Sequence, residues 1–465
     1  MSDDCGQSVG VVTVARAEGT ITDTAAVHRA RKPYEWRHVT APRVVGTVVH
    51  MTRHLAALTT LLIFVTACGS ADNTSTPSVA ATTAATPAPT TIPALSTTVP
   101  ASTTTLPGLD SDPRLTPVAQ LADPNDCKIA DITGGGFSDV VTSGFPLPEG
   151  APDALDDFRL LVLPFSVSDS VFDDADLAIV TEMVDSVTNF FLDQSYGRAT
   201  VIGTIAPREA WVTLPGTTDS TGMSNMTFGH DKDPIFRKVV TEAAATLDLT
   251  AYDAVAVYSH KDDRFFFGQG NMRVDTPTGE VVGVLMGGKN VILWTVLAHE
   301  LGHTWLSSED LYYFPDQSQI MMGGWGLMTE SVDLTIEINP WLRWINAWID
   351  DAQVRCVTSS GESIHHVEAV SVASDATKMV VVKLSDHSAL IVDSRRDLGF
   401  GEGSWDANGD ATLVYVVDTS IPHGEGPMRL RSELRAVGDT VTTDGVTVTL
   451  LDADETNDLV SVVVD

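Results

Sequence analysis

The sequence is poor in basic residues and in long apolar runs. Lysine and arginine together number 28 against 62 aspartates and glutamates, which gives a formal net charge of -34. This balance argues against nucleic acid as a partner, because such binding needs basic side chains that neutralise phosphates. After residue 68 no apolar run approaches the roughly 20 residues of a membrane-spanning helix, so we expect none in that part of the chain.

One apolar segment nearer the N-terminus has the form of a secretion signal. Residues 51–68 read MTRHLAALTTLLIFVTAC, a short basic start followed by an apolar run from Leu55 to Ala67. This run is too short to cross a membrane. Its end, VTAC, resembles the lipobox of bacterial lipoproteins, which implies lipid attachment at Cys68 and anchoring at the extracellular face of the membrane. A buried core helix is the alternative, but the low-complexity sequence that follows disfavours it.

The segments on either side of this signal differ in kind. Residues 1–50 show no clear hydrophobic period, and we interpret them as a misannotated upstream segment with Met51 as the true start. Residues 69–116 are rich in Thr, Ser, Ala and Pro, so they cannot bury enough apolar surface to offset the entropy of ordering. We expect a disordered tether there. The remainder is predicted to form two exported domains, 117–352 and 353–465.

Cysteine is scarce, and the four that occur suggest one disulfide. They are Cys5, Cys68, Cys127 and Cys356. If Cys5 lies upstream of the true start and Cys68 carries lipid, two cysteines remain in an oxidising compartment. We therefore predict a disulfide between Cys127 and Cys356, joining the two ends of the domain 117–352. Two free buried thiols are the alternative.

Strand and helix patterns alternate up to about residue 350. The sequence predicts strands at 158–167, 252–260 and 280–288, and helices at 173–193, 233–247 and 291–306. This alternation indicates an α/β domain. We interpret the glycines at 268–270 and 287–288 as turns. After Cys356, short strands such as KMVVVKL and ATLVYVVD are separated by Gly, Asp, Asn and Ser, which predicts a β-sandwich.

The stretch LAHELGHTW places two histidines four residues apart around a glutamate. On a helix, His299 and His303 lie nearly above one another, so both imidazoles can face one point. They lie roughly 160° from the apolar stripe of that helix. The stripe consists of Trp294, Leu297, Ala298, Leu301 and Trp305. The histidines are therefore outside the core stripe and suited to bind a metal ion.

Glu300 lies about 100° around the helix from His299, where it can reach a water on the metal instead of the metal itself. Zinc suits this set, because three protein ligands leave an open position for water. The ion would lower the pKa of that water towards about 7, and Glu300 would take its proton during attack on a carbonyl. A helix that carries these residues by chance is the alternative.

Three stretches of the sequence resemble the secreted immune inhibitor A-type metallopeptidases, a family of zincins. They are TNFFLDQSYGRATVIGTI at 188–205, LAHELGHTWLSSEDLYY at 297–313 and MGGWGLMTESVDLTIEINPWLRWINAWI at 322–349. The resemblance extends diffusely over 158–465. It implies a zincin-like catalytic domain followed by a β-domain, and it implies that Met328 belongs to a turn beneath the metal.

The third metal ligand is where the sequence departs from this family. The family has a glycine three residues after the second histidine and an aspartate three further on, but here Leu306 and Glu309 occupy those positions. With one inserted residue, 310–312 matches the family's Asp-Leu-Tyr run, so Asp310 is the preferred ligand. Glu309 is the second choice, and Glu330, as in the thermolysin-like arrangement, is the third. A solvated acidic turn is the alternative to any ligand here.

Several other residues have two interpretations. Met328 either forms the hydrophobic surface beneath the metal ion or is an ordinary core residue. Tyr312 or Tyr313 either donates a hydrogen bond to the oxyanion or packs with its hydroxyl in water. Residues 406–411, DANGDA, begin like a calcium loop but lack its glycine and its last acidic residue, so a plain turn is favoured. His423 has no paired spacing and is interpreted as a surface or β-domain residue.

Together these observations predict a lipid-anchored, extracellular zinc metalloendopeptidase that acts on proteins or peptides as a monomer. One alternative is a non-catalytic surface lipoprotein that uses a zincin fold for binding. The intact Glu300 argues against it, because a binding module has no need of a base beside the metal. The other alternative is an amidase of cell-wall peptides, whose metal site would look the same.

Overall fold

A computed structural model describes residues 112–133, 141–221, 233–259, 267–288, 293–312, 321–329, 336–401 and 409–465. All of them belong to one compact unit. Residues 112–116, the end of the predicted tether, are attached to the fold, since the Thr116 N–H donates to the Ile364 carbonyl over 3.0 Å. The rest of the tether and the lipobox segment lie outside the described residues.

The first part of the chain is a mixed sheet with helices on both faces. Its elements are β1 (Phe158–Ser166), α1 (Asp174–Gln194), β2 (Val201–Ile205), β3 (Val212–Thr213), α2 (Thr218–Thr221), α3 (Asp233–Ala243), β4 (Ala254–Ser259), β5 (Phe267–Thr276), β6 (Gly279–Gly287), α4 (Leu293–Thr304) and α5 (Pro340–Ile345). The strand order is β2-β1-β4-β6-β5, and β3 pairs with a further part of β1. The pairs β1–β2, β1–β4 and β4–β6 are parallel, whereas β5 runs antiparallel to β6 at the edge.

The central strands are continuous apolar runs because both faces of this sheet are covered. In β1, Leu160 and Val162 face the core shared with α1 and α4, whereas Leu161 and Leu163 face a second core that includes α3. Helix α1 begins at a capping box in which Asp173 and Asp176 each accept a backbone N–H bond from the other. The predicted α/β class is therefore observed for this part of the chain.

The second part of the chain is rich in β-strands. Its elements are β7 (Val354–Val357), β8 (Gly361–Glu368), β9 (Met379–Lys383), β10 (Ser388–Arg395), β11 (Ala411–Asp418), β12 (Met428–Leu434), β13 (Thr440–Thr443), β14 (Val446–Ala453) and β15 (Asn457–Val464). They form a five-stranded sheet, β12-β11-β10-β9-β7, and a four-stranded sheet, β13-β14-β15-β8. The two sheets share one apolar core. The predicted β-rich C-terminal part is therefore observed.

The five-stranded sheet also packs against the first part of the chain. Alternation along its strands explains this: Leu390 and Val392 face the four-stranded sheet, whereas Ala389 and Ile391 join the core of α1 and α4. The Sγ atoms of Cys127 and Cys356 lie 2.10 Å apart, at disulfide distance. They attach the segment before β1 to β7. The two parts thus share a continuous core across the predicted boundary at 352–353.

A buried ionic network fixes this contact between the two parts. Arg395, at the end of β10, donates to Asp393 Oδ1 over 2.8 Å and to Asn339 Oδ1 over 2.9 Å. Its Nη1 atom also lies 3.6 Å from Glu337 Oε2. Burial raises the pKa of Glu337, and the charge of Arg395 opposes that effect. Since Glu337 and Asn339 immediately precede α5, the network joins this helix to the five-stranded sheet.

Candidate metal centre

Helix α4 carries both histidines of the motif and fixes the orientation of their rings. The Nδ1 atoms lie 2.9 Å from the Leu327 carbonyl oxygen for His299 and 2.7 Å from the Ser308 carbonyl oxygen for His303. A carbonyl can only accept, so each Nδ1 carries a proton, and Nε2 is the ring atom of each histidine that is left to bind a metal ion. Both Nε2 atoms face Asp310 Oδ1, at 3.0 Å from His299 and 3.2 Å from His303.

The choice of Asp310 follows from how the chain leaves α4. Residues 305–312, which we name the ligand loop, include Ser307 in the left-handed region with φ of 51°. The chain therefore turns away from the helix at Ser307, one residue after Leu306. The Ser308 N–H then donates to the Gly302 carbonyl over 3.0 Å and closes the end of the helix.

The two acidic candidates in the ligand loop point in different directions. Asp310 contacts His299 and His303, and these three residues have ligand atoms within 4.8 Å of one another. Glu309 faces His423 instead, with Oε2 lying 3.9 Å from Nδ1. Side chains of consecutive residues in an extended segment point to opposite sides. Glu309 is thus separated from the histidine pair, and Glu330 lies outside the described residues.

Met328 packs directly beneath the motif. A Cβ atom added to Gly302 would lie 2.4 Å from Met328 Sδ, so the absence of a side chain at Gly302 lets the methionine approach α4. The Leu311 N–H donates to the Met328 carbonyl over 2.8 Å. Because His299 is bonded to Leu327, the segment 321–329 supports both the helix and the ligand loop.

Glu300 faces the edge strand β5. A Cβ atom added to Gly268 would lie 2.2 Å from Glu300 Oε1, and one added to Gly270 would lie 2.6 Å from the Glu300 carbonyl oxygen. Our interpretation of 268–270 as a turn was wrong, since these residues belong to β5. The two glycines instead permit close approach of the strand to the helix. Their spacing of two was the available signal, because it puts both on one face of a strand.

A β-bulge in β5 holds the strand against α4. The register with β6 shifts between Gln269 and Met272, and Asn271 has φ of 52°. The Asn271 N–H donates to Thr304 Oγ1, and its Nδ2 donates to the His303 carbonyl, each over 3.0 Å. Bulges of this kind are frequent beside active sites, where they re-aim the strand. Here the bulge fixes β5 to the last turn of the motif helix.

The electrostatic field of the site favours a cation between its ligands. Burial would lower the pKa of His303, but the charge of Asp310 outweighs it and raises the pKa to about 9. Burial likewise opposes ionisation of Asp310, but the two histidines lower its pKa below its usual value. Burial and the charges of Asp310 and Glu300 raise the pKa of Tyr312, so its phenol stays protonated at neutral pH.

The donor set fits a small transition-metal ion. Two imidazole nitrogens and one carboxylate oxygen converge, and three protein ligands are the usual number for a catalytic site with an open position. Both imidazoles also donate the N–H at Nδ1 to a backbone carbonyl, as metal-binding histidines usually do. His299, His303 and Asp310 can therefore hold a metal ion.

His423 lies between β11 and β12, in the β-rich part as one of its two interpretations predicts, but its side chain is buried close to the ligand loop and not at the surface. Its side chain is 2% exposed, and Nε2 lies 3.1 Å from Asp131 Oδ2. Burial would raise the pKa of Asp131, but bonds from His423 and from the backbone of Ser143 lower it below its usual range. No local sequence pattern pairs His423 with Asp131 or Glu309, since each lies in a different part of the chain.

Two other predicted positions fall outside the described residues, namely Tyr313 and residues 406–408, the first half of the calcium-like stretch. In its second half, Asp410 Oδ1 accepts the backbone N–H of Asp397 over 3.0 Å, a contact that joins the ends of the connection between β10 and β11. In the described part of the chain, no helix is both long enough and apolar enough to cross a membrane. The sequence matches no protein-family model and no curated protein.

Proposed function

We propose that this protein is a zinc metalloendopeptidase of the zincin type. One observation carries the proposal: Glu300 lies on the same helix as His299 and His303, which converge with Asp310 of the ligand loop, and Glu300 faces the edge strand β5. Bound zinc would lower the pKa of its water and polarise the scissile carbonyl. Protein and peptide chains are the substrates that we propose.

The residues around the proposed metal position have separate roles. Glu300 accepts a proton from the water as the water oxygen bonds to the carbonyl carbon. It then delivers that proton to the amide nitrogen as the C–N bond breaks. Tyr312, which remains protonated, is suited to donate a hydrogen bond to the carbonyl oxygen as negative charge develops there. The bonds to Leu327 and Ser308 keep the histidine rings from turning away.

The activity is tested by cleavage of an unfolded protein substrate by the purified protein. Treatment with a chelator should abolish cleavage, and one equivalent of zinc should restore it. A cell-wall peptide assayed in parallel separates a peptidase from an amidase. Zinc binding without cleavage of either substrate would favour the non-catalytic binding protein. Cleavage that survives complete removal of metal would refute the proposed mechanism.

Gly268→Ala should lower kcat/KM for that substrate by about 10²-fold, because a methyl group at this position collides with the Glu300 carboxylate. Zinc affinity should change little, since Gly268 lies beside Glu300 and not beside the three ligands. Gly361→Ala is a suitable control, because a Cβ atom there meets nothing within 4 Å, although its φ of 124° also strains alanine. Unchanged activity in Gly268→Ala would show that the proximity of β5 to Glu300 has no bearing on catalysis.

We also propose that the protein is exported and anchored by lipid at Cys68. The apolar run before Cys68 and the disulfide distance between Cys127 and Cys356 both fit an oxidising compartment outside the cytoplasm. Cys68→Ser should move the protein from the membrane fraction to the soluble fraction, as followed by immunoblotting of fractionated cells. An unchanged membrane fraction would contradict lipid attachment at this residue.

A further inference from the structure

The ligand loop is held from outside α4 by residues of two distant segments. His423 lies between β11 and β12, and Asp131 lies in the segment before β1. Nε2 of His423 lies 3.1 Å from Asp131 Oδ2, and Nδ1 lies 3.9 Å from Glu309 Oε2. The imidazole thus lies between the partly buried carboxylate of Asp131 and the buried carboxyl group of Glu309, and Glu309 is the immediate neighbour of Asp310.

Asp131 is the fixed end of this chain of contacts. Its carboxylate accepts the backbone N–H of Thr133 over 3.0 Å and that of Ser143 over 2.9 Å, and the Thr142 hydroxyl donates to it over 3.0 Å. The Thr142 N–H also donates to the Ser307 carbonyl over 2.8 Å. Asp131 therefore reaches the ligand loop by two routes, through Thr142 to Ser307 and through His423 to Glu309.

Glu309 lies at the other end of this chain of contacts, next to the candidate metal ligand Asp310. It is 3% exposed. Burial raises its pKa well above the usual value, and the charges of Asp310 and Asp131 raise it further, against the backbone of Gly424. Such a carboxyl group is costly to bury unless polar groups surround it. His423 and the backbone of Gly424 face this carboxyl group, so the segment 423–424 helps to hold the residue next to Asp310.

From this geometry we propose that His423 is a positioning residue for the metal ligand Asp310. It fixes the ligand loop by linking Glu309 to Asp131, so that the C-terminal β-rich part and the segment before β1 together complete the metal site. The proposal rests on the metal site assigned under the proposed function. It does not make His423 a catalytic residue, because the contacts on which the proposal rests are to Asp131 and Glu309.

The first test is the zinc affinity of the full-length protein, measured by competition with a chromophoric chelator after removal of metal. Loss of a direct outer contact to a metal ligand typically weakens binding by about 10–100-fold; because His423 acts through Glu309 and not on a ligand itself, we expect a loss of up to about 10-fold in His423→Ala. His423→Gln retains a donor that can reach Asp131 and should recover part of the affinity. His365→Ala is the matched control, because the side chain of His365 is also buried but is bonded to Ser363 within β8.

The second test needs no metal and separates this proposal from the proposed function. Amide hydrogen exchange of the metal-free protein should be faster in residues 305–312 of His423→Ala than of wild type, with the strands β9 to β11 unchanged. The proposal is supported if exchange is faster only in the ligand loop and if zinc affinity falls from wild type through His423→Gln to His423→Ala. Wild-type exchange in the loop of a folded His423→Ala protein overturns it, whether or not wild type binds zinc.

Discussion

Glu300→Gln should lower kcat/KM for an unfolded protein substrate by about 10²–10⁴-fold, the usual contribution of a general base. Glutamine has nearly the same shape, so it should still fit beside Gly268, but its amide cannot accept the proton of the attacking water. Zinc affinity should stay near the wild-type value, because Glu300 is not part of the converging ligand group. Steady-state kinetics with a fluorogenic peptide, together with metal analysis, measure both quantities.

Glu182→Gln provides the matched control for this substitution. Glu182 lies exposed on α1, and its replacement makes the same chemical change away from the site. Its kcat/KM should equal that of wild type. Full activity in Glu300→Gln would exclude Glu300 as the base, and loss of zinc from that variant would mean that Glu300 acts as a ligand.

The second large effect concerns stability and lies in the buried network of Arg395. Arg395→Met should lower the free energy of unfolding by about 3–5 kcal/mol, because it leaves buried carboxyl groups without their cation. Asp393 and Glu337 are both buried and both face this guanidinium. Methionine fills much of the same volume, so the loss comes chiefly from charge and hydrogen bonding. Denaturant unfolding followed by fluorescence of the buried tryptophans measures the change.

Arg159→Met is the comparison for that experiment. Arg159 pairs with Asp253 over 2.8 Å, but its side chain is 54% exposed. Water screens such a pair, so its loss should shift the unfolding midpoint little. If Arg395→Met were as stable as Arg159→Met, the network would not be what joins α5 to the five-stranded sheet.

The sequence predicted the features that depend on local periodicity. Helix α4 is predicted by an apolar period of 3.6 residues, and the strands β4 and β6 are predicted by short apolar runs. The spacing of His299 and His303 also correctly placed their rings on one side of α4. Burial of that side was not predictable, because it comes from β5, the ligand loop and the segment 321–329.

The sequence could rank Asp310 above Glu309 as the third metal ligand only through the family resemblance of residues 310–312. Both are acidic residues that follow helix α4. Which of them faces the histidines depends on the left-handed conformation at position 307, where the sequence has serine and not the usual glycine. The strand β5 was missed because its glycines are typical of turns when no partner strand is known. His423 was missed because its contacts join residues nearly 300 positions apart, such as Asp131 at a separation of 292.

The central claim is that His299, His303 and Asp310 together bind one zinc ion. Its most direct test is the zinc content and affinity of wild type and Asp310→Ala, with Asp185→Ala on the exposed face of α1 as control. Wild type and the control should each hold one equivalent after dialysis. Asp310→Ala should bind at least about 100-fold more weakly, since losing even an outer contact costs 10–100-fold. Wild type that takes up no zinc, or Asp310→Ala that binds as tightly as wild type, would contradict the account.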